Sequence, residues 1–290
     1  MRTGELFRRG IAELKAAGVP CADTDIQLLL GHCLKMSRTQ LYLAADDEVA
    51  QGAETLFLKL LERRKKREPV AYILGEQEFW SLSFHVTRDV LIPRPETEFL
   101  LEKVLESVQS SPPPCGPILD LCCGSAVIAI VLALELRRRV AALDLSMAAL
   151  GVARLNAERH GVGEQIDFVQ ADLLNSVLSA NGFSLIVSNP PYVSTAEMQG
   201  EMQPEVIGYE PHLALDGGVD GLNIIEKIRS RLPFVLCPGG YFFMEIGEAQ
   251  GPGVREMFSL GDGHGACFDL VEIYADYAGK DRVLFARLKK

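Results

Sequence analysis

No apolar run in this chain is long enough to cross a membrane as a helix. The longest, Ala126 to Leu134, stops at Glu135, well short of the roughly 20 residues that a bilayer span needs. The opening residues, Met1-Arg2-Thr3-Gly4-Glu5, carry an acid early and no apolar stretch, so no secretory leader is expected. The seven cysteines are odd in number and contain no CxxC pair. That argues against a zinc site or a disulfide framework and suits reduced thiols in a cytoplasm. Excess positive charge is missing too. The first ninety residues balance to zero, so the whole net charge of −10 lies in the remainder. Proteins that work on phosphate backbones normally concentrate Lys and Arg, which makes nucleic acid a poor candidate substrate. The five histidines, His32, His85, His160, His212 and His264, form no cluster. They read as structural or surface residues, and no metal is expected.

What is present is ordinary for a globular protein: 290 residues, 48% hydrophobic and 23% charged, enough for one large domain and a smaller one. Residues 1–75 read as helices. Leu6, Ile11, Leu14 and Ala17 recur near helical spacing before Gly18 and Pro20 intervene. A second helix begins near Asp23, and Ser37 with Gln40 has capping-box spacing. A long helix from about Val49 ends in Arg63-Arg64-Lys65-Lys66-Arg67, and Pro69 stops it. That run reads as a solvated helix end complementing the dipole, in preference to a partner-binding patch. Phe79 to Leu91 is strand-like and reads as a hairpin hinge. Beyond Pro93, strands are expected near 117–122, 140–145, 166–170, 184–188, 241–246, 268–274 and 282–287, with helices near 97–109, 125–137, 146–160, 221–231 and 249–259. Such alternation implies βαβ units in a mostly parallel sheet. The last two strands lack a helix between them and should close the sheet as an antiparallel hairpin. The expected organisation is a helical domain at 1–76, a hairpin hinge at 77–92 and an α/β domain at 93–290.

Two stretches carry chemistry. Ile118-Leu119-Asp120-Leu121-Cys122-Cys123-Gly124-Ser125-Ala126 is a strand running into a small-residue turn and then a helix, the place where open α/β sheets bind nucleotides. Asp144 ends the next strand, where an acid can accept from both ribose hydroxyls. Asp172 and Leu173 follow the third and could cover an adenine edge and face. A dinucleotide loop would want three glycines to admit a pyrophosphate, and only Gly124 is present. S-adenosylmethionine has no pyrophosphate, so small residues such as Cys122 and Ala126 suffice for it.

After a fourth buried strand comes Asn189-Pro190-Pro191-Tyr192. A residue before proline is pushed to extended geometry, so Asn189 should project from the strand end. The Pro190 carbonyl is expected to stay free, because neither proline readily continues a sheet. With the Asn189 side-chain oxygen it makes a second acceptor. Two converging acceptors suit a planar –NH2 whose lone pair is tied up in a π system, as in an amide or adenine N6. Holding both N–H bonds aims such a nitrogen at a sulfonium methyl, and no general base is needed before attack. Tyr192 is placed to stack on the planar group or to serve as a core aromatic.

At these residues the chain resembles the release-factor glutamine N5-methyltransferase family (PrmC/HemK). The likeness also covers Glu68-Pro69-Val70-Ala71-Tyr72-Ile73-Leu74-Gly75 with Phe79-Trp80, Ile92-Pro93-Arg94-Pro95-Glu96-Thr97-Glu98, Tyr209-Glu210-Pro211, Ala214-Leu215-Asp216-Gly217-Gly218 and Asp220-Gly221-Leu222. The resemblance implies a Rossmann-like seven-stranded class I methyltransferase domain preceded by a small helical-bundle domain that helps recognise the substrate. It also implies S-adenosyl-L-methionine as cofactor and the glutamine of a Gly-Gly-Gln loop in bacterial release factors as substrate. A cytoplasmic monomer is expected. The family's cofactor loop normally carries glycine where Ala126 stands. The Asn-Pro-Pro-Tyr tetrapeptide is shared with adenine-methylating enzymes and ribosomal-protein glutamine methyltransferases, which remain the alternatives. A nicotinamide-dependent oxidoreductase is disfavoured by the missing glycines, and a non-enzymatic binding module by the intact Asn189 motif.

Overall fold

A computed structural model describes residues 1–175, 182–200, 202–260 and 267–290; His264 lies outside them. The chain forms two units: Met1–Glu76 with Gln203–Tyr209, and Gln77–Met202 with Glu210–Lys290.

Helical periodicity builds the first unit from α1 (Thr3–Ala16), α2 (Ala22–Leu34), α3 (Arg38–Leu43), α4 (Gln51–Lys65) and α5 (Val70–Leu74). Leu6 and Leu14 from α1, Ile26, Leu29 and Leu30 from α2, and Phe57 and Leu61 from α4 meet in one core. Each such side chain contributes roughly 1.5–3 kcal/mol on full burial. Ser37 caps α3 as its spacing predicts. Its Oγ accepts from the Gln40 N–H at 3.3 Å, while Gln40 Oε1 accepts from the Ser37 N–H at 2.8 Å.

The basic run at the end of α4 is only in part the solvated helix end that its charge pattern suggests: Arg63 and Lys66 are exposed, but Arg64 is not. Arg64 is 5% exposed. Its guanidinium donates to Asp25 at 2.7 Å, to Glu205 at 3.0 Å and to the Glu68 carbonyl at 3.2 Å. Arg63 donates to Glu68 at 2.8 Å, and Arg67 to Glu205 at 2.7 Å. Glu205 lies in the short helix Pro204–Tyr209, which joins this unit from far down the chain. Charge counting along a sequence sees the cations but not acids that only folding brings to them.

The hairpin of β1 (Glu76–Phe79) and β2 (Leu82–His85) turns through Trp80 and Ser81, at φ 54° and 57°. Two consecutive left-handed residues match a type I′ turn, although neither is the glycine or asparagine such turns favour. The Trp80 N–H donates to Glu98 at 2.6 Å and its indole N–H to Glu135 at 3.0 Å, which secures the turn. Pro95 opens α6 (Pro95–Ser110) at its first turn, where its missing N–H costs nothing.

Strand and helix then alternate: β3 (Ile118–Leu121), α7 (Val127–Leu136), β4 (Val140–Asp144), α8 (Met147–Arg159), β5 (Ile166–Gln170), β6 (Phe183–Ser188), α9 (Thr195–Gly200), α10 (Pro204–Tyr209, in the first unit), α11 (Asn223–Val235), β7 (Leu236–Glu245), α12 (Gly251–Ser259), β8 (Phe268–Ala275) and β9 (Asp281–Leu288). The seven-strand order is β5-β4-β3-β6-β7-β9-β8. Six strands run in one direction, and β9 alone opposes them, pairing antiparallel with both β7 and β8. This is the Rossmann-like sheet expected from the alternation, with the closing hairpin folded back so that its second strand is the inner one. Apolar clusters cover both faces. Among the described residues no helix is long and apolar enough to cross a membrane.

The strand order reverses between β3 and β6, a topological switch point, and ligands bind outside the carboxyl ends of strands there. The register pairs Leu121 with Ser188, and the Ser188 hydroxyl donates to the Leu121 carbonyl at 2.8 Å. The next residue on each strand is Cys122 on one side and Asn189 on the other. The two chemical motifs therefore leave the sheet side by side.

Candidate active site

Beyond β3 the chain takes left-handed backbone at Cys122, Gly124 and Ala126, with φ of 63°, 53° and 63°. For residues other than glycine this conformation costs roughly 1–2 kcal/mol each. That cost explains on backbone grounds why glycine would be favoured at positions 122 and 126. The turn is held by the Cys123 N–H on the Leu143 carbonyl at 2.8 Å and the Ala126 N–H on the Cys123 carbonyl at 2.7 Å. Asn156 anchors it from α8, donating to the carbonyls of Ser125 and His85 at 3.0 Å each.

Asp144 ends β4 beside this turn. One carboxylate oxygen accepts from the Gly124 N–H and the other from the Ser146 N–H, both at 2.8 Å. Burial pushes its carboxyl above the usual range, and the N–H groups of Ser146, Gly124 and Leu145 oppose the shift. Each oxygen keeps a lone pair, so the group can still accept from a pair of vicinal hydroxyls.

Asp120 is different. It is fully buried; one oxygen accepts from the Ala129 N–H at 2.9 Å, and the other has no partner among the described residues. Burial pushes its carboxyl up to about 8, with the Ala129 N–H opposing and Asp144 adding to the rise. A carboxyl raised in the folded state holds its proton there after the unfolded chain has lost it. Stability therefore falls as pH rises from the ordinary value toward about 8, by at most ~1.4 kcal/mol per pH unit. Asp120→Asn removes that slope. The Tm advantage of the variant over the wild type should be larger at pH 8 than at pH 5.5 in paired scanning-calorimetry runs (roughly the upper end and the middle of the window), and equal differences at both would contradict the assignment.

A cavity of about 410 Å³ opens on the switch point, within the roughly 300–1,000 Å³ typical of small-molecule sites. Of the residues singled out in the sequence, Cys122, Cys123, Gly124, Ser125, Asp144, Asp172, Leu173, Asn189 and Pro191 line it. Asp120, Ala126, Pro190 and Tyr192 do not. Asp120 and Ala126 support the turn from beneath, and Pro190 is buried. A Cβ built on Gly124 meets nothing within 4 Å, so this glycine leaves the cradle open. Leu143, Leu145, Ala171 and Leu173 supply apolar walls near the Asp144 carboxylate. A hydroxyl-binding acid, an apolar slot and a small-residue cradle together fit S-adenosylmethionine. Among the described residues no group of three or more His, Cys, Asp or Glu is placed to hold a metal.

Hydrogen bonds to ionised groups contribute about 1.5–3 kcal/mol. Asp144→Ala is therefore expected to weaken S-adenosylhomocysteine binding roughly 10- to 100-fold by titration calorimetry. An unchanged affinity would remove Asp144 from the cofactor site.

Asn189 is held through its nitrogen. Its Nδ2 donates to Thr97 Oγ1 at 3.1 Å, and the Thr97 hydroxyl donates to Glu245 at 2.7 Å. The Tyr192 hydroxyl donates to the other Glu245 oxygen at 2.9 Å, so the phenol is tied to β7 and the ring is absent from the cavity wall. Burial pushes the Glu245 carboxyl up, while the Thr97 and Tyr192 hydroxyls and the charge of Arg282 pull it down. Downstream, the Val193 N–H bonds to Leu215 and the Gly217 N–H bonds to Val193, both at 2.9 Å. Gly221 sits at φ 77°, where a Cβ would stand 2.3 Å from the Tyr192 carbonyl. The glycine-rich segment after α10 thus clamps the backbone just beyond the prolines.

Several lining residues had no role assigned from the sequence. Arg94 lines the cavity and donates to the buried Glu210, which also accepts from the Ile92 N–H at 3.2 Å. Both Arg94 and Glu210 lie in segments that carry the family resemblance, but their pairing was not legible. His212 and Asp216 also line the cavity. Glu245 had a usable signal, being a lone acid at the end of the apolar run Tyr241-Phe242-Phe243-Met244, and buried acids are rare unless partnered.

Comparison with known proteins agrees with this geometry. A family model described as the PrmC N-terminal domain matches residues 5–75, and one described as the methyltransferase small domain matches residues 95–219. The release factor glutamine methyltransferase of Nitratidesulfovibrio vulgaris is 39% identical over 97% of this chain and 94% of its own length. That of Cereibacter sphaeroides is 38% identical over 99% of both chains. Among solved structures, a methyltransferase from Pyrococcus furiosus superposes with a TM-score of 0.52 at 16% identity, over 73% of this chain and 91% of that one. The T. thermophilus 16S rRNA N2 G1207 methyltransferase, in complex with AdoMet and guanosine, gives 0.53 at 18% identity, over 74% and 50%. These likenesses concern the fold. The full-length relatives go further: the chain belongs to the release factor glutamine methyltransferase family, whose methyl donor is S-adenosylmethionine.

Proposed function

We propose that this enzyme transfers the methyl group of S-adenosylmethionine to the side-chain amide nitrogen of the glutamine in the Gly-Gly-Gln loop of bacterial translation release factors. The observation that carries the reading is that one cavity joins Asn189 to Gly124 and Asp144. Bound S-adenosylmethionine supplies an electrophilic methyl group on a sulfonium. The chain's task is to bring a poor nucleophile to it. Asn189 Oδ1, on the cavity wall, accepts one N–H bond of the substrate amide. The second is assigned to the carbonyl of Pro190, which is itself not among the lining residues, and the pair fixes the amide's plane and distance. Alignment of this kind is worth roughly 7–11 kcal/mol of a barrier. Pro191 forms the wall beside the amide, Asp144 holds the ribose, and Asp172 with Leu173 covers the adenine. The methylated nitrogen is acidic and loses its proton to solvent afterwards, so no side-chain base is required. The helical first unit serves to recognise the release factor. The enzyme works as a monomer in the cytoplasm, and its net charge of −10 supports a protein partner over nucleic acid.

The test is transfer from methyl-tritiated S-adenosylmethionine to purified release factor, to the same factor with the loop glutamine replaced by alanine, and to DNA or RNA. Label is expected in the first alone. Label in nucleic acid, or undiminished label in the alanine form, would overturn the proposal.

A further inference from the structure

The Asn189 side chain can be seated in two ways that differ only by exchange of its oxygen and nitrogen, and only one of them serves the proposed reaction. The atom facing Thr97 leaves the other to the cavity. Thr97 Oγ1 has one proton to give, and Glu245 lies 2.7 Å away. Burial favours the protonated form of Glu245, but the two hydroxyls on its oxygens and the charge of Arg282 favour the carboxylate. Ionised, Glu245 only accepts, so it takes that proton. The Thr97 oxygen is then left facing Asn189 as an acceptor, at 3.1 Å. An acceptor can be met only by the Asn189 N–H, because the flipped amide would set two oxygen lone pairs against each other. Tyr192 completes the arrangement by donating to the second Glu245 oxygen at 2.9 Å. Glu245 is 1% exposed, and Thr97, which also lines the cavity, is 3% exposed, so little solvent competes for these protons.

We propose, on the reading of Asn189 given above, that Thr97, Glu245 and Tyr192 are positioning residues whose ordered protons fix the Asn189 amide with its oxygen toward the substrate –NH2. The order runs in one direction. Glu245 decides the Thr97 hydroxyl, and the Thr97 hydroxyl decides which end of Asn189 meets the substrate. The three residues come from β7, α6 and the segment after β6, and they converge on one atom pair. Their contribution to turnover passes entirely through Asn189.

Single-turnover and steady-state kinetics on the full-length enzyme with release factor test this. Thr97→Val keeps the shape and removes the hydroxyl, and it should lower kcat about tenfold, the scale of one hydrogen bond. KM for release factor and the affinity for S-adenosylhomocysteine should hold within about twofold. Thr97→Ser should restore most of the lost turnover. In an Asn189→Ala background the same Thr97→Val change should have no further effect, as expected for groups that act as a unit. A purely structural threonine would instead add its penalty in both backgrounds, and that result overturns the inference. So does a Thr97→Val enzyme of normal turnover beside an inactive Asn189→Ala, which leaves the function itself standing. Near-normal turnover in Asn189→Ala takes down the function and the inference together. Should Thr97→Val not fold, Glu245→Gln takes its place in the same cycle. Its amide can donate to Thr97, turn that hydroxyl onto Asn189 and draw the wrong end inward, again without effect once Asn189 is alanine.

Discussion

Replacing Asn189 with alanine is expected to lower turnover at least 100-fold while S-adenosylhomocysteine affinity stays within about threefold, because loss of one preorganised polar group at a reacting centre costs on the order of 3 kcal/mol. The division between kcat and cofactor binding follows from where the side chain stands. Its nitrogen is engaged by Thr97 at 3.1 Å, and no contact with Asp144 or the Gly124 turn depends on it. Alanine leaves the backbone course through Pro190 and Pro191 intact, since that course is held by the Val193, Leu215 and Gly217 bonds. The variant should therefore fold and bind cofactor but present the substrate nitrogen with one acceptor in place of two. The decisive measurement is single-turnover methyl transfer beside calorimetric cofactor titration. Normal transfer with an unaltered fold would show that the amide oxygen does not guide the nucleophile.

A second large effect is expected far from the chemistry. Arg64→Ala should destabilise the first unit by about 3–5 kcal/mol, the usual result of removing one member of a buried ion cluster. Arg64 is 5% exposed, and the acids it meets, Asp25 and Glu205, are 8% and 6% exposed. Without the guanidinium Asp25 loses a 2.7 Å partner, and Glu205 keeps only Arg67. Denaturant unfolding followed by circular dichroism measures the loss; a change below about 1 kcal/mol would mean that the cluster is solvated after all. Acid should weaken the same cluster. Burial by itself would raise the Glu205 carboxyl, but Arg67, the Glu205 backbone N–H and Arg64 outweigh it and leave the group below the usual range. A depressed carboxyl contributes stability that is present above the unfolded value and is lost as pH falls through the folded one. Arg64→Ala should flatten that acid limb. Asp120 tilts the opposite way, since its contribution shrinks as pH rises toward about 8.

Much of this molecule is legible in the sequence. Strand and helix period depends on neighbours two to four residues apart, so the alternation beyond Pro93, the cap at Ser37 and the closing hairpin were all legible. The Asn-Pro-Pro-Tyr stretch was legible for the same local reason, because proline restricts the residue before it. The family resemblance rested on short motifs as well. By its sequence the turn after β3 needs only small residues; the structure adds that Cys122 and Ala126 hold a backbone that favours glycine.

Other features were decided by folding alone. Arg64 looked like one more solvated cation until Glu205, 141 positions away, was packed against it. Tyr192 looked available to a substrate, but Glu245 takes its hydroxyl. The amide of Asn189 owes its orientation to Thr97, 92 positions distant, and Thr97 owes its proton direction to Glu245, a further 148 positions along the chain. Periodicity and turn chemistry are properties of a few adjacent residues, whereas the direction of a buried proton is set by whichever groups the finished fold places within about 3 Å of it. The linear order of amino acids therefore determined what kind of machine this is, and the closed structure determined which end of one amide faces the reaction.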